Sequence, residues 1–125
     1  MDYGKHIRKR AVFAFLILCS ASAQAKEVTV NETDSHFTQN SVSLKAGDVL
    51  NLKNTGAAMH NIIITANDKP DDKGMQKPWE AKKIFFGKTG QYDIECPFHP
   101  GMKLTATVEQ STAQNENNRK LLPTP

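Results

Sequence analysis

Along most of the chain, hydrophobic residues alternate with polar ones. Val28 and Val30 alternate with Thr29 and Asn31, Val42 and Leu44 with Ser41, Ser43 and Lys45, and Leu50 and Leu52 with Asn51 and Lys53. Tyr92, Ile94 and Cys96 share one side of the same pattern, with Asp93 and Glu95 on the other. Leu104, Ala106 and Val108 alternate with Thr105 and Thr107. A period of two places successive side chains on opposite faces of an extended segment, so each stretch predicts a half-buried strand. Ile62-Ile63-Ile64 and Ile84-Phe85-Phe86 are short apolar runs and read as strands too. Ala46-Gly47-Asp48, Asn54-Thr55-Gly56 and Lys88-Thr89-Gly90 mark turns between them. No segment reads as a helix and no internal repeat is present. Short strands at this spacing predict an all-β domain, a Greek-key β-sandwich.

Two stretches break the alternation. Residues 67–80 contain Pro70, Asp71, Asp72, Lys73, Gly74 and Pro78, and read as a loop with at most one helical turn, Trp79 anchoring it on the surface. Residues 110–125 are rich in Gln, Asn, Ser, Thr and Pro, with Leu121-Leu122 as the only apolar pair. That composition predicts a flexible polar tail without a core.

The N-terminus changes the picture of charge. Lys5, Arg8, Lys9 and Arg10 precede an apolar run from Ala11 to Ala21, and Ala23-Gln24-Ala25 follows. This is the order of a secretory signal peptide, predicted to be cut after Ala25. The run is shorter than the roughly 20 apolar residues needed to span a bilayer. Leu18 is bulky for a residue preceding a lipidated Cys19, and Lys9 splits the arginines, so general secretion fits best. The organisation is then a signal peptide over 1–25, one domain over 26–109 and the tail over 110–125, with a periplasmic destination and no stable membrane insertion after cleavage. The whole chain of 125 residues has a formal charge of +3. The signal carries four of its 16 Lys/Arg and one of its 13 Asp/Glu, which leaves 12 of each in the mature part. A near-neutral mature protein gives no electrostatic footprint for nucleic acid.

Removing the signal also removes Cys19, so Cys96 is the only mature cysteine and an internal disulfide is impossible. A lone thiol in an oxidising compartment is reactive or occupied. Cys96-Pro97-Phe98-His99-Pro100-Gly101-Met102 places a thiolate, an imidazole and a thioether in one short loop. Thiolate and thioether are soft ligands, and imidazole suits copper, zinc or iron. A further donor is required, and His60 is the best candidate. His60, Cys96, His99 and Met102 make the donor set of a blue-copper electron-transfer site, with the methionine as weak axial ligand. Taken singly, each residue has a plainer reading: a core cysteine, a loop histidine, a packing methionine, a satisfied histidine. His36, Met59 and Met75 read as surface, packing and loop residues, and Glu95 faces away from the site by alternation.

At these residues the sequence resembles the cupredoxins, small blue-copper proteins of the plastocyanin, pseudoazurin and amicyanin group. Lys45 to Asn54 looks like the turn and strand before the first ligand, His60-Asn61 like that ligand and its supporting amide, and Tyr92 to Cys96 like the strand into the ligand loop. The Cys-x-x-His-x-x-Met spacing is similar to the short loop of amicyanin. The resemblance covers roughly residues 27–109 and implies one copper ion alternating between Cu(I) and Cu(II). It also implies His99 exposed in an apolar patch formed with Ala57, Ala58, Met59, Phe98, Pro100 and Gly101. Redox protein partners, such as a periplasmic dehydrogenase or a cytochrome c, would dock there on a monomer. The Asn61 side-chain amide is expected to tie the His60 segment to the Cys96 loop or to bond the sulfur. Pro97 departs from the family, which often has Thr or Ser at that place to receive a hydrogen bond from the amide after the first histidine.

Three other readings use the same residues. A copper carrier would hold Cu(I) and hand it to partners. A cysteine nucleophile would pair Cys96 with His99 or His60, but the sequence offers no evident orienting acid and no oxyanion signature. A structural zinc site would make poor use of the Met102 thioether.

Overall fold

The computed structural model describes residues 14–17 and 24–123. Most of the expected signal peptide therefore lies outside the described residues. Among the described residues there are eight strands: β1 (Glu27–Glu32), β2 (Ser41–Lys45), β3 (Asp48–Asn54), β4 (His60–Ala66), β5 (Lys69–Gln76), β6 (Ala81–Phe86), β7 (Gly90–Glu95) and β8 (Lys103–Glu109). They form two sheets, ordered β1-β3-β6 and β2-β8-β7-β4-β5. The predicted all-β architecture is the one observed.

The alternation sets which side chains meet between the sheets. Val30, Leu50, Leu52, Ile84 and Phe86 are buried from the first sheet, and Leu44, Ile62, Ile64, Ile94, Leu104, Ala106 and Val108 from the second. Burying one such aliphatic side chain contributes about 1.5–3 kcal/mol. Within the apolar runs only the alternate residues enter the core, and Phe85 points to solvent.

Register brings distant parts of the chain to one end of the sandwich. β1 and β3 run parallel, with Glu32 opposite Asn54 at their ends. β4 and β7 run antiparallel, with Ile63 opposite Glu95. The end of β1, the loop from β3 to β4, the first residue of β4 and the loop from β7 to β8 therefore share that end. Glu32 is a fully buried acid there. Neither of its carboxyl oxygens has a hydrogen-bond partner among the described residues. Burial pushes its carboxyl up from 4.5 to about 7, against weaker opposing pulls from the Gln76 amide and the Lys82 charge.

Two expectations need correction. Most of residues 67–80 is not a loop, because β5 pairs antiparallel along β4 from Ala66↔Lys69 to His60↔Gln76. Asn67 and Asp68 both have positive φ, 50° and 60°, as a two-residue hairpin turn of type I′ requires. Pro70 is tolerated because β5 is an edge strand. A register shift between Ile62 and Ile63 falls opposite Gly74, whose φ is 82°. Trp79, expected as an anchor, is 73% exposed. The tail is not wholly irregular either: a helix, α1, spans Thr112–Lys120. Ser111 and Gln114 form a capping box at its start, Arg119 and Lys120 sit in its last turn, and none of its residues is buried. Local capping and charge–dipole terms produce this helix rather than packing. No helix among the described residues is long and apolar enough to cross a membrane.

Candidate metal centre

Cys96 directly follows β7, and alternation after Ile94 turns it inward. The loop that follows closes on itself. His99 N–H donates to the Cys96 carbonyl at 3.2 Å, Met102 N–H to the His99 carbonyl at 3.0 Å, and Cys96 N–H to the Met102 carbonyl at 3.3 Å. Gly101 takes the left-handed φ of 84° that the turn back into β8 needs. Cys96 and Met102 are 3% and 1% exposed, while His99 is half-buried.

His60 opens β4 and is fully buried. Its Nε2 lies 2.9 Å from the Thr33 carbonyl. A carbonyl only accepts, so Nε2 carries the proton, and in the neutral ring Nδ1 keeps its lone pair. That Nδ1 is buried without a hydrogen-bond partner. Burial holds the His60 pKa below its ordinary value; the Thr33 carbonyl and Asp34 oppose the shift, and His99 adds to it. The ring is thus held neutral, as metal coordination requires.

The ligating atoms of His60, Cys96 and His99 all lie within 4.8 Å of one another. Cys96 Sγ is 3.6 Å from His99 Nδ1. Donors about 2.0 and 2.3 Å from one first-row ion, at an angle near 110–120°, stand about 3.6 Å apart. The two imidazoles meet edge to face, with centroids 5.0 Å apart. An orphaned buried nitrogen beside a buried sulfur and a second imidazole fits a soft or borderline ion, and the donor set suits copper. Met102 belongs to the same closed turn through its main-chain bonds to His99 and Cys96. Among the described residues no carboxylate belongs to the cluster.

The surroundings hold features that the sequence reading missed. Thr33, which fixes the His60 tautomer, lies 27 positions away in the chain. Asn54 is fully buried; its Nδ2 donates to the carbonyls of Ala58 and Lys77 at 2.7 and 3.1 Å, and its Oδ1 accepts from Gly56 N–H at 3.0 Å. Asp34 Oδ1 accepts from Ala57 and Ala58 N–H at 2.6 and 3.1 Å. Together they clamp the loop that leads into His60. Asn61 acts through its backbone rather than its side-chain amide, as its N–H points to Cys96 Sγ at 3.5 Å.

The same two-sheet arrangement is found in solved structures. A reduced proline-to-phenylalanine variant of amicyanin is similar at 27% identity and TM-score 0.61, over 66% of this chain and 82% of that one. A reduced tryptophan-to-tyrosine variant of amicyanin is similar at 25% identity and TM-score 0.62, over 71% and 88%. The chain folds as a cupredoxin. A purple cupredoxin from Nitrosopumilus maritimus shares the fold at 16% identity and TM-score 0.59, over 66% of this chain and 99% of that one. No family model matches the chain, and no curated protein does. Within this cupredoxin fold, the residues brought together are three of the four expected from the sequence, with the fourth in the same loop.

Proposed function

We propose that the protein is an exported blue copper protein that carries single electrons between redox partners. His60, Cys96 and His99 would hold the ion through two imidazoles and a thiolate, and the Met102 thioether would add a weaker soft donor. The observation that carries this reading is the buried His60 Nδ1, left without a partner inside a cluster that also holds Cys96 Sγ and His99. Copper, when bound, supplies a one-electron couple. The chain's part is to keep the donors still. Thr33 fixes one imidazole, Asn61 N–H points to the sulfur, and the self-closed loop limits how far Cys96, His99 and Met102 can move apart. A donor set that needs little rearrangement suits both Cu(I) and Cu(II). With Met102 as a fourth donor the bound ion would have no open position of the kind catalytic metal sites keep, which favours the carrier reading.

His99, half-buried, is the way in. Phe98 at 55% and Met59 at 45% exposure, with exposed Ala57, Pro100 and Gly101, form an apolar rim for brief docking. Cu(II) added to the exported protein should give an intense visible band and a reversible one-electron wave, and Cys96→Ala should abolish both. A colourless copper-loaded protein would overturn the proposal. The copper-delivery reading uses the same residues, but burial of His60, Cys96 and Met102 opposes ready exchange. Rapid transfer of the ion to an acceptor apoprotein, without redox cycling, would favour it.

A further inference from the structure

A second buried carboxyl lies at the other end of the sandwich. The main-chain N–H of Lys26, just before β1, donates to Asp48 Oδ1 at 3.0 Å. Asp48 Oδ2 accepts the Lys45 N–H at 2.7 Å. Lys26 is pinned from its other side by Val49 N–H, which donates to its carbonyl at 2.9 Å. Asp48 is 6% exposed, so a buried carboxyl is met by two neutral main-chain donors. Gln24 and Ala25 are exposed and precede the first strand. Lys26 borders a cleft of about 390 Å³ whose walls also include Gln24 and Ala25 of the leader, Lys45, Asp48 and Glu116.

We propose that Asp48 is a binding site for the α-ammonium of Lys26, which is created when the leader is removed after Ala25. The proposal rests on the export reading above. A leader peptidase adds water across the bond between the Ala25 carbonyl carbon and the Lys26 nitrogen. The carbon keeps the hydroxyl, and the nitrogen takes the hydrogen. The resulting amine, whose ordinary pKa is about 7.7–8.0, takes up a further proton at neutral pH. A neutral amide donor thereby becomes a cation against the same oxygen, and charge-assisted hydrogen bonds are roughly twice as strong as neutral ones. The Lys26 side chain carries its own ammonium on the same residue; of the other charged groups nearby, Lys45 is paired with Glu109 at 2.8 Å, Glu27 with Lys83 at 2.9 Å, and Glu116 lines the same cleft. β1 runs from this anchor to Thr33, whose carbonyl orients His60. Processing at one end therefore secures the strand that positions the metal ligand at the other.

The test expresses the full chain with its leader and recovers the exported protein. Intact mass and N-terminal sequencing should show Lys26 first. The α-amine should titrate about one unit or more above its ordinary value of about 8, and Asp48→Asn should return it to that value. Inserting Gly-Ser between Ala25 and Lys26 moves the ammonium away and leaves Asp48 intact. The unextended protein should unfold several degrees higher than this variant at pH 7. An ammonium whose pKa is raised by folding stabilises fully below its unfolded pKa, so that advantage should vanish as pH rises through the raised value. A first residue other than Lys26 overturns the processing step and the ion pair together. Lys26 as first residue, with equal unfolding midpoints and an unshifted amine, overturns the ion pair alone.

Discussion

Glu32 precedes Thr33, the residue whose carbonyl selects the His60 tautomer, so a buried carboxyl stands one position from the support of a ligand. Its pKa, raised to about 7, means that the folded state binds the proton more tightly than the unfolded one. Such a group favours the fold fully below its unfolded pKa near 4.5, and this contribution is lost as pH climbs through about 7. The loss is on the order of 3 kcal/mol. Glu32→Gln should flatten stability against pH between about 5 and 8, read from urea unfolding at each pH; an unchanged slope would remove Glu32 as the cause. His99 makes a different prediction. His99→Gly should leave a gap at the half-exposed ligand, and added imidazole should restore the visible band. An intact band in that variant without any additive would show that His99 is not a ligand.

At the scale of elements, the loop from β3 to β4 is held by side chains that the alternation could not single out. Asn54→Ala leaves two carbonyls and one N–H unpaired near a fully buried position. A cost of about 2–4 kcal/mol is expected, seen as a lower denaturant midpoint. Elements with one apolar face were plain in the sequence: β1, β2, β3, β7 and β8 follow from Val30, Leu44, Leu52, Ile94 and Leu104. β5 was hidden for a physical reason. It is an edge strand with only Gln76 buried, so main-chain pairing to β4 defines it and leaves no hydrophobic signature. Its one local signal was the Asn67-Asp68 turn. The helix α1 was hidden in the same way, since it buries nothing and shows only its Ser111 and Gln114 caps.

For the whole molecule, the ligand loop was legible because Cys96, His99 and Met102 are close in sequence. Thr33, Asn54 and Asp34 were not, because their roles depend on the register that brings strand ends together. The proposed docking face includes the exposed Phe98 beside His99, and a charge placed there should hinder contact between molecules without altering the metal site. Phe98→Glu should slow electron self-exchange, measured by NMR line broadening, by on the order of tenfold or more, with the visible spectrum unchanged. An unchanged exchange rate would place the contact elsewhere.

Of the three clustered side chains, His60 and Cys96 are sealed in and His99 alone reaches the surface. A vessel with a single doorway cannot be filled and emptied at once. For the proposed electron carrier, donor and acceptor would take turns at the same threshold, the protein releasing one before it meets the other. Turnover in a reconstituted chain should therefore fall when either partner is supplied in large excess, because each then obstructs its counterpart.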